Sequence, residues 1–248
     1  MIKYILFFLI LCSVVKAKEL RVIFSYATPP YVFEYDGSGI IVDITKKAFA
    51  QTSYEIKPIF VNSKRSFEMF KYGYADAIAM IQKSSGLGAY YSDIFVQYHV
   101  AAFALKSKKY AIKKIEDLKE YHFVGFQNAR KYLGEQFSKV TKEARDNYSE
   151  VVDLRQQAYK FLKGRTDVIL MDIYAFAFYK NELIAQGKID PNLEVDVFEI
   201  FQPIQYRTAF KDKNTRDDFN KGLELLRVNG QYHEIYKKYN HQYFKIKI

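Results

Sequence analysis

Hydrophobic and polar positions along this chain change period several times, and each change marks an element. Over residues 19–26 they alternate, the period of a strand half buried against a core, and Thr28-Pro29-Pro30 ends the run because proline removes a ladder donor. Tyr31-Val-Phe33-Glu-Tyr35 then carries three aromatics into the turn signal Asp36-Gly37-Ser-Gly39. Asp43 is placed to cap a helix with Ile44 and Ala48 on its buried side. Tyr54–Val61 reads as a second strand, residues 63–72 as a second helix and residues 76–81 as a third strand. This β-α-β-α-β order, with right-handed crossovers, predicts a parallel sheet.

The second half follows the same grammar. Residues 95–105 are apolar and extended, a basic surface turn follows, and Ile115-Glu-Asp-Leu118 precedes a strand over residues 122–126. Asn128 is placed to cap a helix over residues 129–137, residues 150–153 read as a short strand, and residues 173–186 as a helix stopped by Gly187. A strand over residues 193–200, a second extended apolar stretch over 202–209 and a long helical stretch over 215–239, broken at Asn229-Gly230, follow. One device occurs twice: polar cap, amphipathic helix, glycine, two residues, aspartate, buried strand. It runs from Ser63 through Gly73 and Asp76 to Ile81, and again from Asp153 through Gly164 and Asp167 to Asp172. In the second copy Gln156 stands three residues after the capping Asp153, and Leu154, Ala158, Phe161 and Leu162 share one helix face. Both glycines stand where a left-handed residue stops a helix. Recurrence at about 90 residues predicts two similar α/β lobes.

Composition narrows the class. A chain of 248 residues, 49% of them hydrophobic, is long enough for two packed lobes. Residues 1–17 stand apart: Lys3, an apolar run over residues 4–15, and Val15-Lys16-Ala17 read as a secretory signal peptide cut after Ala17. Leu11 precedes Cys12 where lipid attachment needs a small residue, and cleavage would remove the single cysteine and with it any disulfide. With no second apolar run of spanning length, a periplasmic protein is expected. The net charge is +10, and +8 without Lys3 and Lys16, but the basic residues are scattered rather than gathered on a stripe, which argues against nucleic acid. His99, His122, His233 and His241 form no metal-ligand spacing, so no metal and no cofactor are expected.

Four stretches, in order along the chain, carry a resemblance. They are Pro29-Pro30-Tyr31-Val-Phe33-Glu-Tyr35 with Gly39 and Asp43; Gly73-x-x-Asp76-Ala-Ile with Ser92-Asp93; Ile115-Glu-Asp-Leu118 with Val124-Gly125-Phe126-Gln127; and Asn229-Gly230-Gln231-Tyr232-x-x-Ile235-Tyr236-x-x-Tyr239. Together they are similar to extracytoplasmic solute-binding proteins of the amino-acid type, family 3, with the periplasmic binding protein type II fold. The resemblance implies an α/β fold of two similar lobes joined by two crossing strands, near residues 96–105 and 200–209. Lobe one would be discontinuous, 18–100 with 205–248, and lobe two would be 101–204. The function implied is capture of a small polar solute, amino-acid-like or otherwise, between the lobes of a monomer serving an ABC-type transporter. A membrane permease or receptor would be the partner, with no catalysis. Two other readings stay open: a dehydratase-like enzyme on the same scaffold, and a module that presents its ligand state to a receptor.

The site residues follow from the same resemblance. Amino-acid-binding members carry a Thr-x-x-Arg-like element after the third strand, whose arginine forks onto the ligand carboxylate. Here that stretch is Gln82-Lys83-Ser84-Ser85-Gly86-Leu87-Gly88, in which Lys83 offers a point charge without bidentate geometry. Asp172 matches the acid that pairs with a ligand amino group, and it stands equally well as the N-cap of the helix from Ile173. Arg65, in the pair Lys64-Arg65, is expected at the cleft or in solvent. Gln127-Asn128-Ala129-Arg130 opens a helix whose N–H groups favour an anion, with Arg130 either adding charge or lying outside. Tyr31 and Phe33 would wall the ligand, against the alternative of core packing.

Overall fold

In the computed structural model, residues 17–25 and 28–243 are described. Nearly all of the expected signal peptide, and Tyr26 at the end of the first expected strand, lie outside them. Chain order is β1 (Lys18–Ser25), α1 (Ile40–Ala48), β2 (Tyr54–Val61), α2 (Ser63–Lys71), β3 (Ala77–Ile81), β4 (Tyr90–Tyr91), β5 (Val96–Tyr98) and β6 (Val100–Leu105). It continues β7 (Phe123–Phe126), α3 (Ala129–Tyr132), α4 (Gly134–Ala144), β8 (Tyr148–Val151), α5 (Leu154–Leu162), β9 (Val168–Asp172) and α6 (Ile173–Ala185). It closes with β10 (Val195–Phe198), β11 (Ile204–Phe210), α7 (Lys213–Val228) and α8 (Gln231–Tyr243).

Two sheets form, and they echo one another. The first runs β2-β1-β3-β11-β4, with β5 also paired to β11; the second runs β10-β6-β9-β7-β8. In the first, β1 is parallel to β2 and β3, and β11 lies antiparallel beside β3. In the second, β7 is parallel to β8 and β9, and β6 lies antiparallel beside β9. Each sheet therefore has three parallel strands extended by one antiparallel strand, onto which β4 and β5 pair in the first sheet and β10 in the second. Both extending strands are crossing segments: β5 and β6 are separated by His99 alone, and β11 pairs back onto β5. Inner strands are buried on both faces, as parallel strands under helices must be. In β9, Val168 and Leu170 face one core and Ile169 and Met171 the other.

The repeated device has a physical purpose that its spacing does not state. Gly73 and Gly164 take left-handed φ of 83° and 73° and end their helices. The aspartate that follows then clamps the neighbouring parallel strand. Asp76 accepts the Arg21 backbone N–H at 2.9 Å and the same residue's guanidinium at 3.0 and 2.8 Å. Asp167 accepts the His122 backbone N–H at 3.2 Å and the Tyr110 hydroxyl at 2.8 Å. In each lobe the carboxylate sets the register of its strand against the partner, Val22 beside Ala77 and Phe123 beside Val168.

Three expectations need correction. Asp43 does not cap α1: Gly39 holds that position, and Asp43 instead accepts Lys238 and Tyr239, both at 2.8 Å. The helix expected over residues 129–137 breaks into α3 and α4, with Leu133 between them and Gly134, at φ 90°, opening α4. Asn128 stands at the N-cap position of α3 but makes no side-chain cap bond.

Two stability outcomes follow. Asp76→Ala is expected to cost about 1 kcal/mol in urea denaturation, at the low end for a charge-assisted bond because the Arg21 pair is partly solvated. At Gly222 an added Cβ would lie 1.9 Å from the Ala48 carbonyl oxygen, where α7 crosses α1. Gly222→Ala should therefore cost about 2–3 kcal/mol, while Gly88→Ala, which meets nothing within 4 Å, should be close to neutral in the same assay.

Candidate functional site

Strand carboxyl ends of the two sheets face a shared cavity of about 450 Å³, within the roughly 300–1,000 Å³ span of small-molecule sites. The first sheet and its loops contribute Ile23, Pro29, Tyr31, Ile78, Met80 and Ile81; α2 adds Ser66 and Phe67. From the second come Phe126, Gln127, Tyr132, Leu154, Met171 and Asp172, and the crossing strands supply Tyr98, Val100, Ile204 and Tyr206. The wall is predominantly apolar. Tyrosines dominate its floor: the Tyr31 and Tyr98 rings lie 4.2 Å apart and Tyr98 meets Tyr206 at 5.0 Å. The Tyr98 hydroxyl donates to Met80 Sδ at 3.4 Å. Met80 itself sits at φ 60° inside β3, beside a register shift in the β3–β11 pairing. A non-glycine residue in that region stores about 1–3 kcal/mol of strain, and such strain gathers at ligand-facing positions.

Asp172 is the centre of this arrangement. As the last residue of β9 it caps α6, Oδ1 accepting the N–H of Tyr174 at 2.9 Å and of Ala175 at 3.1 Å. The same oxygen accepts the Tyr31 hydroxyl at 3.0 Å across the gap between the sheets. Oδ2 accepts the N–H of His99, the residue between the crossing strands, at 2.9 Å. Burial pushes this carboxyl up to about 7, against the four hydrogen bonds that pull it down. Of the two roles expected for Asp172 the cap is formed, and the residue also lines the cavity.

Of the residues singled out from the sequence, Tyr31, Gln82, Gln127 and Asp172 line the cavity together. The rest do not. Phe33 is buried among Phe178, Tyr239 and Tyr35, because the turn after Tyr31 aims it at α6 and α8. Arg65 is exposed on the first turn of α2, one residue before the lining Ser66. Lys83 is exposed on a short turn between the lining residues Gln82 and Ser84. Ala129 is core. Arg130 turns away, its Nε donating to Thr141 at 3.0 Å and its guanidinium lying over the Tyr148 ring. The anion site expected at the start of α3 is filled from within: Glu150 accepts the N–H of Asn128 at 2.7 Å and of Arg130 at 3.1 Å.

Sequence reasoning missed Met80, Phe126, Tyr132, Tyr98 and Tyr206. Among 22 tyrosines and 21 phenylalanines nothing in composition separates wall from core. For Tyr98 and Tyr206 a signal existed, since both fall inside the expected crossing strands. No group of three or more His, Cys, Asp or Glu suited to a metal occurs among the described residues.

Comparison with known proteins agrees with this architecture. The profile of the bacterial extracellular solute-binding proteins, family 3, matches residues 20–242. Among solved structures, the chain is similar to the GluR0 ligand-binding core in complex with L-glutamate, with 14% identity, a TM-score of 0.70 and coverage of 90% of this chain and 98% of that one. It is similar to a polar amino acid ABC uptake transporter substrate-binding protein from Streptococcus thermophilus, with 18% identity, a TM-score of 0.61 and coverage of 93% and 87%. It is also similar to the ancestral amino-acid-binding protein AncCDT-1, a precursor of cyclohexadienyl dehydratase, with 18% identity, a TM-score of 0.64 and coverage of 89% and 94%. At these identities the likeness establishes the two-lobed fold. A search of curated proteins finds no match.

Burial of Asp172 has a measurable consequence. A carboxyl raised in the folded state binds a proton that the unfolded chain gives up, so its contribution to stability grows as pH falls from about 8 to about 5. Thermal melts of the wild type should show this gain, and Asp172→Asn should flatten it. An equal slope in both proteins would refute the assignment.

Proposed function

Since the chain belongs to the bacterial extracellular solute-binding proteins, family 3, we propose that it captures a small organic solute in the cavity between its sheets and delivers it to an ABC-type membrane permease. The observation that carries this reading is the cavity itself, walled by both sheets and floored by the crossing strands. A ligand there touches both halves at once, which is what drives hinge closure. Residues 18–100 with 205–248 act as one lobe and 101–204 as the other, turning about the β5–β6 and β11 crossings. The protein works as a monomer in the periplasm, released there by cleavage after Ala17. No helix among the described residues is long and apolar enough to cross a membrane.

A second reading has one observation in its favour. Asp172 is held near neutrality inside the cavity, as a general acid or base would be, and one structural neighbour is described as a precursor of a dehydratase. Steady turnover of a prephenate-like substrate by clean protein would put the enzymatic reading first.

Ligand-dependent stabilisation tests the main reading. Across a broad panel of amino acids, amines, organic acids, short peptides and polyamines, at least one compound should raise the melting temperature. At about a hundred times its Kd the gain is about 2.7 kcal/mol. Failure of the whole panel, together with no small molecule released on denaturing freshly purified protein, would remove solute binding.

A further inference from the structure

We propose that the cavity selects an aromatic or bulky apolar amine that carries no carboxylate. The proposal rests on the solute-binding reading and sharpens it, because the wall discriminates between the two ends of an amino acid.

A ligand carboxylate is held most strongly by a forked guanidinium or a buried cation, and the described lining residues include neither. Among these described lining residues there is no arginine and no histidine, and the one cation, Lys131, is exposed. The N–H groups at the start of α3 are already taken by the Glu150 carboxylate. Arg65, Arg130, Arg155 and Arg207, each next in sequence to a lining residue, do not themselves line the cavity.

An ammonium group meets the opposite conditions. Among the described lining residues the only acid is Asp172, buried and reaching from the second sheet. Its Oδ1 already accepts three donors while Oδ2 accepts one. A carboxylate oxygen has about two lone-pair directions, so Oδ2 keeps room for one more N–H. Beside it Tyr31, Tyr98 and Tyr206 line the cavity and pack against one another, and aromatic rings attract an organic cation. The remaining wall, with Met80, Met171, Phe67 and Phe126, suits a hydrocarbon or aromatic body.

Two matched series on the full-length mature protein test this by calorimetry or melting shift. One is phenethylamine, phenylalanine and hydrocinnamate; the other is tryptamine, tryptophan and indolepropionate. In at least one series the amine should bind about ten-fold or more tightly than its amino acid, and the acid should give no shift. The proposal is overturned if an amino acid binds as tightly as its amine, if either acid binds, or if neither amine binds. A tight amino acid would leave solute capture standing and remove only this inference; failure of the broad panel above would remove both. Asp172→Asn should weaken the amine about ten-fold. Should that variant fail to fold because α6 loses its cap, the wild-type series decides alone.

Discussion

One carboxylate holds the geometry on which the cavity depends. Asp172 ends β9, starts α6, fixes the backbone of His99 between the crossing strands and receives Tyr31 from the first sheet. Remove any of these bonds and a buried acceptor or a helix terminus is left to water it cannot reach. Around it the lobes meet through aromatic rings: Tyr31 with Tyr174, Phe33 with Phe178, Tyr174 with Tyr236. Ring contacts of this kind are adaptable, worth roughly 0.5–1.5 kcal/mol each beyond their buried area. The hydrogen bond supplies the direction that those contacts lack.

The paired clamps at Asp76 and Asp167 explain how such a centre can be placed accurately from two separate sheets. Each fixes the register of a parallel pair, and a slip of one residue would turn every wall residue of that strand to the other face. The same clamp stands in both lobes, and Met80 near the end of β3 and Asp172 at the end of β9 line one cavity. Placement of chemistry here is a consequence of strand registration.

Much of this was legible in the chain. Gly73-x-x-Asp76 and Gly164-x-x-Asp167 announced two lobes because local physics dictates both halves of the motif: a left-handed stop and a strand entry. Asp153 was readable as a cap for the same reason, and it does accept the Gln156 N–H at 2.9 Å. What was not legible depends on partners far along the chain. Asp43 is drawn to Lys238 and Tyr239, nearly 200 residues away, and its helix begins earlier, at Ile40 with Gly39 at the cap. Glu150 reaches the start of α3 only because β8 lies beside β7. The two-residue β4 has no pattern long enough to detect, and it exists because β11 offers it an edge.

The cavity's chemistry follows from where the polar groups are not. A zwitterion requires two opposite sites; among the described lining residues there is one, the acid on the second sheet, and the N–H groups at the start of α3 are held by Glu150. An ammonium group at Oδ2 would hold Asp172 ionised, countering the burial that raises it. An ionised carboxylate is the stronger acceptor for the Tyr31 hydroxyl. Ligand charge and lobe contact would then reinforce one another through a single oxygen pair. A neutral or anionic guest leaves that carboxyl unassisted, so discrimination arises in the protein's own cross-lobe bond as much as in the contact with the ligand.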